Sequence, residues 1–209
     1  MSKRKNIMIL VLVFVLLIGG ASVLYTQLSK DDAPDGLIVQ GDQNKNDNES
    51  QSDSSDTDEE PQLMKAPDFS VYDASGNKVN LSDYTGKPIV LNFWASWCGP
   101  CQSEMPDFYE KYLELGDEIH FLMVNMTGGR ETLSSAKAFI SEKGYTFPVF
   151  YDTDSSAATT YSVYSLPTTY FIDAEGYLIA QATGAISADT LQKGIDMINI
   201  ERFQYTELF

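Results

Sequence analysis

The sequence predicts an α/β domain whose mixed central sheet is flanked by helices, placed behind an apolar N-terminal stretch and an acidic spacer. Three observations carry this reading. From residue 66 onward, short apolar runs alternate with helical patterns, the arrangement that gives sheets covered by helices. The last two runs are joined by a connection short enough for a hairpin, so part of the sheet is antiparallel. A content of 43% hydrophobic and 12% aromatic residues supports a real core and excludes global disorder.

The elements follow in order. Asp68 to Leu81 reads as a small N-terminal hairpin turning at Ser75-Gly76-Asn77. Ile89-Val90-Leu91-Asn92-Phe93-Trp94 is almost continuously apolar, which suits a strand buried on both faces. Pro100 to Leu115 has helical spacing, with Met105, Phe108, Tyr109, Tyr112, Leu113 and Leu115 as candidate buried positions. Ile119 to Met126 reads as a second central strand, Glu131 to Lys143 as a helix ending at Gly144, and Phe147 to Tyr151 as a third strand. Thr168 to Ile172 is a fourth, turned by Ala174-Glu175-Gly176 into Tyr177 to Gln181. An amphipathic helix from Ala188 to Asn199 closes the domain.

The N-terminal third is different in kind. Lys3, Arg4 and Lys5 precede Ile7 to Tyr25, 19 residues without a charge. At ~1.5 Å per residue these span about 28 Å, close to the hydrocarbon core of a bilayer. The flanking charges predict residues 1–6 in the cytoplasm, residues 7–25 as a transmembrane anchor, and everything after it outside. A cleaved signal peptide is the rival, but no A-x-A site follows the apolar run. No cysteine lies here to carry a lipid. Residues 26–65 read as a disordered acidic linker: positions 31–60 hold eleven acids and one base, too little apolar surface to offset ordering entropy. About 35 such residues reach roughly 30–35 Å. Residues 66–209 form the folded domain.

Several function classes fall away. The net charge is −16 and no basic stripe exists, so nucleic acid is not an expected partner. Two cysteines allow one intramolecular disulfide, and a single histidine precludes a His-rich metal site. No metal and no cofactor is called for, and a monomer is expected.

The chemistry lies at Trp97-Cys98-Gly99-Pro100-Cys101. Two cysteines two residues apart, following a buried strand and opening a helix, form a redox dithiol arrangement. Cys98 falls at the helix N-terminus, where free N–H groups and the macrodipole favour an anion and lower the thiol pKa. Cys101, one turn inside, can resolve a mixed disulfide. Pro100 costs no backbone hydrogen bond in the first turn. The alternatives are weaker. A structural disulfide within one turn constrains few residues, and zinc would need two more soft ligands, with His120 the single candidate.

These residues resemble the thioredoxin superfamily, specifically the membrane-anchored TlpA/ResA-like thiol-disulfide oxidoreductases. The resemblance covers about residues 66–200. It rests on Ala66-Pro67-Asp68-Phe69, on the run Val79 to Pro88, on Asn92 to Cys101, on Glu104-Met105-Pro106 and on Leu166-Pro167-Thr168-Thr169. The segment 127–150 matches the group's central insertion. By that resemblance the fold is thioredoxin-like, Cys98 is the attacking thiol, Cys101 the resolving thiol, and the two form a redox-active disulfide. Pro167 is the cis-proline opposite the dithiol, and Leu166 offers its backbone to a bound peptide. Trp97 covers the dithiol and contacts substrate, although core packing would also explain it. Glu104 matches an acid able to shuttle the proton of Cys101 if burial raises its pKa; a surface glutamate complementing the helix dipole is the rival. Ordinary cytosolic thioredoxins carry a buried Asp where this chain has Asn92, which makes Glu104 the substitute base. His120 reads as structural.

The resemblance implies an extracytoplasmic disulfide reductase recharged by a membrane electron donor. Its substrates would be disulfide-bearing proteins, such as the Cys-x-x-Cys-His disulfide of apocytochrome c or surface methionine sulfoxide reductases. A disulfide-forming oxidant is the alternative, and a non-catalytic thioredoxin-like binding module is a third. Peroxidase chemistry lacks its Thr/Ser, since Ala95 stands three positions before Cys98.

Overall fold

The structure, a computed structural model, describes residues 36–39 and 63–199. Residues 1–6, the expected anchor at 7–25 and most of the linker lie outside the described residues. Among the described residues no helix is long and apolar enough to cross a membrane.

Among the described residues eight strands form one mixed sheet. They are β1 (Leu37–Val39), β2 (Ser70–Tyr72), β3 (Lys78–Asn80), β4 (Ile89–Trp94), β5 (His120–Asn125), β6 (Val149–Tyr151), β7 (Thr168–Ile172) and β8 (Leu178–Thr183). The helices are α1 (Gly99–Leu115), α2 (Leu133–Lys143), α3 (Ser156–Thr160) and α4 (Ala188–Asn199), with a 3-10 turn at Leu81–Tyr84. The strand order is β1-β8-β7-β4-β5-β6-β2-β3. β4, β5 and β6 run parallel, while β7 lies antiparallel to β4 and β8 antiparallel to β7. This is the thioredoxin-like arrangement that the motifs implied, and the segment expected to be the central insertion carries α2 and leads into β6.

Strand alternation sorts the core into two layers. Val90 and Trp94 of β4 join a cluster with Cys98, Cys101, Met105, Phe108, Leu191 and Ile195, under α1, α2 and α4. Leu91 and Phe93 join Phe69, Leu122, Tyr161 and Tyr170 on the opposite face, beneath α3 and the N-terminal hairpin. Asn92 therefore points to the face of α1. On α1 the buried stripe is Cys101, Glu104, Met105 and Phe108, the i, i+3, i+4, i+7 spacing of a core-facing helix. Glu104 is thus carried inward by its helical phase.

Two expectations are corrected. Leu113, taken for a buried position, is 65% exposed, because it lies off that stripe. And the linker is not structureless throughout. Leu37–Val39 pairs antiparallel with Ala180–Ala182 as the outermost strand, and Lys65 bridges to Tyr177. Leu37-Ile38-Val39 is an apolar run within the acidic segment, and Leu37 packs against the core, which supplies the burial that its neighbours lack. α3 was not expected at all.

Candidate active site

The dithiol stands where β4 gives way to α1. A tight turn follows the strand, closed by Cys98 N–H donating to Ala95 O at 3.2 Å. Cys98 is the N-cap residue of α1. Its sulfur accepts a hydrogen bond from the Cys101 N–H at 3.2 Å, so one of the unpaired donors at the helix start points at the sulfur. Cys98 and Cys101 are joined in a disulfide, their Cα atoms 5.3 Å apart. Cys101 is fully buried and Cys98 is 4% exposed, so solvent and partner reach the pair from the Cys98 side.

Around this pair stand the other predicted residues. The Leu166–Pro167 peptide bond is cis. Because Phe93 pairs with Thr168, the register puts Pro167 beside Trp94, at the end of β4 that leads into the dithiol turn. Pro167 O accepts from Gly184 N–H at 2.9 Å, whereas Leu166 is half-buried and packs against both layers. Trp97 is 46% exposed, which rules out core packing. The Arg130 guanidinium lies 4.5 Å from its ring centroid, a cation–π contact across the mouth of the site.

Glu104 is buried, not a surface acid. Its Oε1 accepts from the Asn92 amide at 2.9 Å and its Oε2 from Ile186 N–H at 3.0 Å. Burial pushes its carboxyl up to about 7; the two hydrogen bonds oppose the shift and Asp107 adds to it. A group that titrates near neutrality, one helical turn from Cys101, can take and return a proton. Asn92 also donates to Thr169 Oγ1 at 3.0 Å. His120 lies at the start of β5, paired with Ile89 at the far end of β4 from the dithiol. Its ring packs edge-on to Tyr84 at 5.4 Å, and burial with the nearby Lys87 lowers its pKa. It takes no part in the site.

Sequence reasoning missed Glu131. This acid is 2% exposed and accepts hydrogen bonds from both the N–H and the hydroxyl of Ser96. Read as the first residue of a helix, it actually precedes the N-cap Thr132. Nothing in its neighbours' types separates a buried acid from a solvated one there. Among the described residues no cluster of His, Cys, Asp or Glu is placed to hold a metal.

Comparison with known proteins agrees with this geometry. The AhpC/TSA family profile matches residues 64–181. The thioredoxin-like protein YneN of Bacillus subtilis (strain 168) is 35% identical over 134 residues, covering 64% of this chain and 78% of that protein. The thiol-disulfide oxidoreductase ResA of Bacillus thuringiensis (strain Al Hakam) is 39% identical over 138 residues, covering 64% and 77%. Among solved structures, the pneumococcal exposed lipoprotein thioredoxin Etrx1 of Streptococcus pneumoniae strain TIGR4 superposes with a TM-score of 0.55 at 35% identity, over 62% of this chain and 99% of that one. A dithiol at a helix head is thus found in a chain whose relatives are thioredoxins and disulfide oxidoreductases: it belongs to the AhpC/TSA family and is a thioredoxin-like thiol-disulfide oxidoreductase.

Proposed function

We propose that this oxidoreductase works outside the cytoplasm as a membrane-anchored disulfide reductase, with Cys98 attacking, Cys101 resolving and Glu104 moving the proton. The observation that carries the mechanism is the division of labour along α1. Cys98 caps the helix at the edge of solvent, while Cys101 and Glu104 are sealed beneath it on one face. The Cys98 thiolate attacks one sulfur of a substrate disulfide, and the other substrate sulfur leaves as a thiolate. Cys101 then passes its proton to the Glu104 carboxylate and attacks the Cys98 sulfur, releasing the second substrate sulfur. Two electrons have passed to the substrate, and the Cys98–Cys101 disulfide is what remains for a membrane electron donor to reduce. Trp97, Leu166 and Pro167 would frame the bound segment, with the Leu166 backbone pairing to it as an added strand.

The direction is supported by the Gly99-Pro100 pair between the cysteines, which resembles that of the reducing members of the TlpA/ResA-like group. The location is supported by the basic and then apolar residues 3–25 and by a relative described as an exposed lipoprotein. Substrates of the class expected are apocytochrome c disulfides or surface sulfoxide reductases. The test is the reduction potential of the Cys98/Cys101 couple in the full-length chain, equilibrated against graded thiol buffers. A value of about −250 mV or lower supports a reductase, whereas one near −120 mV makes it an oxidant. Cys101→Ser should accumulate mixed disulfides with substrate, and its failure to do so would leave a binding module.

A further inference from the structure

The insertion reaches back into the redox turn. Gly128 and Glu131 exchange backbone hydrogen bonds at 2.9 Å, and Gly129, at φ 57°, lets the loop fold tightly. This presents the buried Glu131 carboxylate to Ser96. Oε2 accepts the Ser96 N–H, and Oε1 accepts the Ser96 hydroxyl at 3.0 Å and the Ser135 hydroxyl at 2.6 Å. On its other side, Ser96 O accepts from the Gln102 amide. The peptide that leads into Cys98 is therefore gripped from two elements. Arg130, the residue before Glu131, turns outward onto Trp97.

We propose that Glu131 is a positioning residue whose carboxylate fixes the Ser96–Trp97–Cys98 turn and whose negative charge disfavours the Cys98 thiolate, biasing the couple toward donating electrons. This rests on the reductase reading and supplies a physical source for it. Reduction of the disulfide by two electrons leaves a sulfur at Cys98 that is ionised or protonated, and a nearby anion weighs against the ionised form. Ser96 is two residues from Cys98, with successive Cα atoms about 3.8 Å apart, so the charge lies roughly 10 Å from the sulfur. A unit charge at that range, at an effective dielectric of about 20, alters an ionisation equilibrium roughly tenfold. Arg130 on Trp97 opposes the effect, and Glu104, when ionised, adds to it from within the helix.

The test is the thiolate titration of Cys98 in the full-length chain carrying Cys101→Ser, with and without Glu131→Gln, followed by ultraviolet absorbance and by alkylation rate. Glu131→Gln should increase the thiolate-to-thiol ratio roughly tenfold, and in the dithiol protein it should make the couple more oxidising. Glu131→Asp, which draws the charge back by one methylene, should fall between. An unchanged titration with a lowered Tm would reduce Glu131 to a structural clasp and overturn the proposal, as would a shift in the opposite sense. If Glu131→Gln does not fold, the Glu131→Asp shift decides alone. The potential of the unmodified protein tests the direction of the reaction separately, so an oxidising parent with an intact Glu131 shift would sink the reductase reading and leave this one standing.

Discussion

Glu104 links the chemistry of the site to the stability of the fold. A carboxyl that titrates at about 7 when folded and near its ordinary value when unfolded binds its proton more tightly in the native state. The contribution is complete below the unfolded pKa of about 4.5 and is lost as pH rises through 7. Unfolding free energy of the oxidised protein should therefore fall by about 3 kcal/mol across that window. Glu104→Gln should remove this slope, read as the difference between the two proteins in denaturant titrations at stepped pH. The same substitution should slow release of mixed disulfides by Cys101 more than their formation by Cys98. An equal slope in both proteins would mean that the carboxyl is already ionised at acid pH. At this scale the sequence was informative about Cys98, Cys101 and Pro167, because residue type and spacing bear directly on their chemistry. It left Glu104 open between burial and surface, although the phase of Met105 and Phe108 already points it inward. Glu131 was invisible, since its burial depends on Ser96, 35 positions away.

Among the elements, β4, β7 and α4 lie where the sequence placed them, each long enough for its periodicity to show. α3 was missed because Ser156–Thr160 is a five-residue helix without an apolar stripe. β1 was missed because three residues in an acidic stretch carry no pattern of their own; only the open edge of β8 gives them a partner. α4 also shows how close packing constrains a single atom. Gly194 faces β7, and a Cβ there would lie 2.2 Å from Phe171 Cζ and 2.3 Å from Cε1. Phe171 is fully buried and has nowhere to retreat. Alanine is the better helix former by about 1 kcal/mol, but overpacking a filled core costs about 1–3 kcal/mol, and a contact this short belongs at the upper end. Gly194→Ala should lower Tm by several degrees in a thermal melt, whereas a rise would show that α4 can slide away from the sheet.

At the scale of the molecule, the sheet ends in two edges, β3 and β1. An uncovered edge invites another strand to pair with it, and β1 occupies that position on β8. Deleting residues 37–39 removes three short pairings and a half-buried leucine, so thermal stability should change little. Concentration-dependent association should appear instead, measured by sedimentation or light scattering. A deletion protein that associates no more than the parent at high concentration would show that β8 protects itself.

The pairing of Leu37–Val39 with β8 also changes the geometry of search. Under the anchored reading, the sequence between the apolar stretch and β1 is residues 26–36, shorter than the whole acidic stretch. Treated as a random coil, a tether of about eleven residues would have a reach of about 17–20 Å. Effective concentration against a partner fixed in the same membrane rises as roughly the inverse three-halves power of tether length. On that reading, a tether of about 11 residues in place of about 37 would raise the local concentration at a membrane-bound partner roughly sixfold, while substrates far from the bilayer would lie beyond its radius.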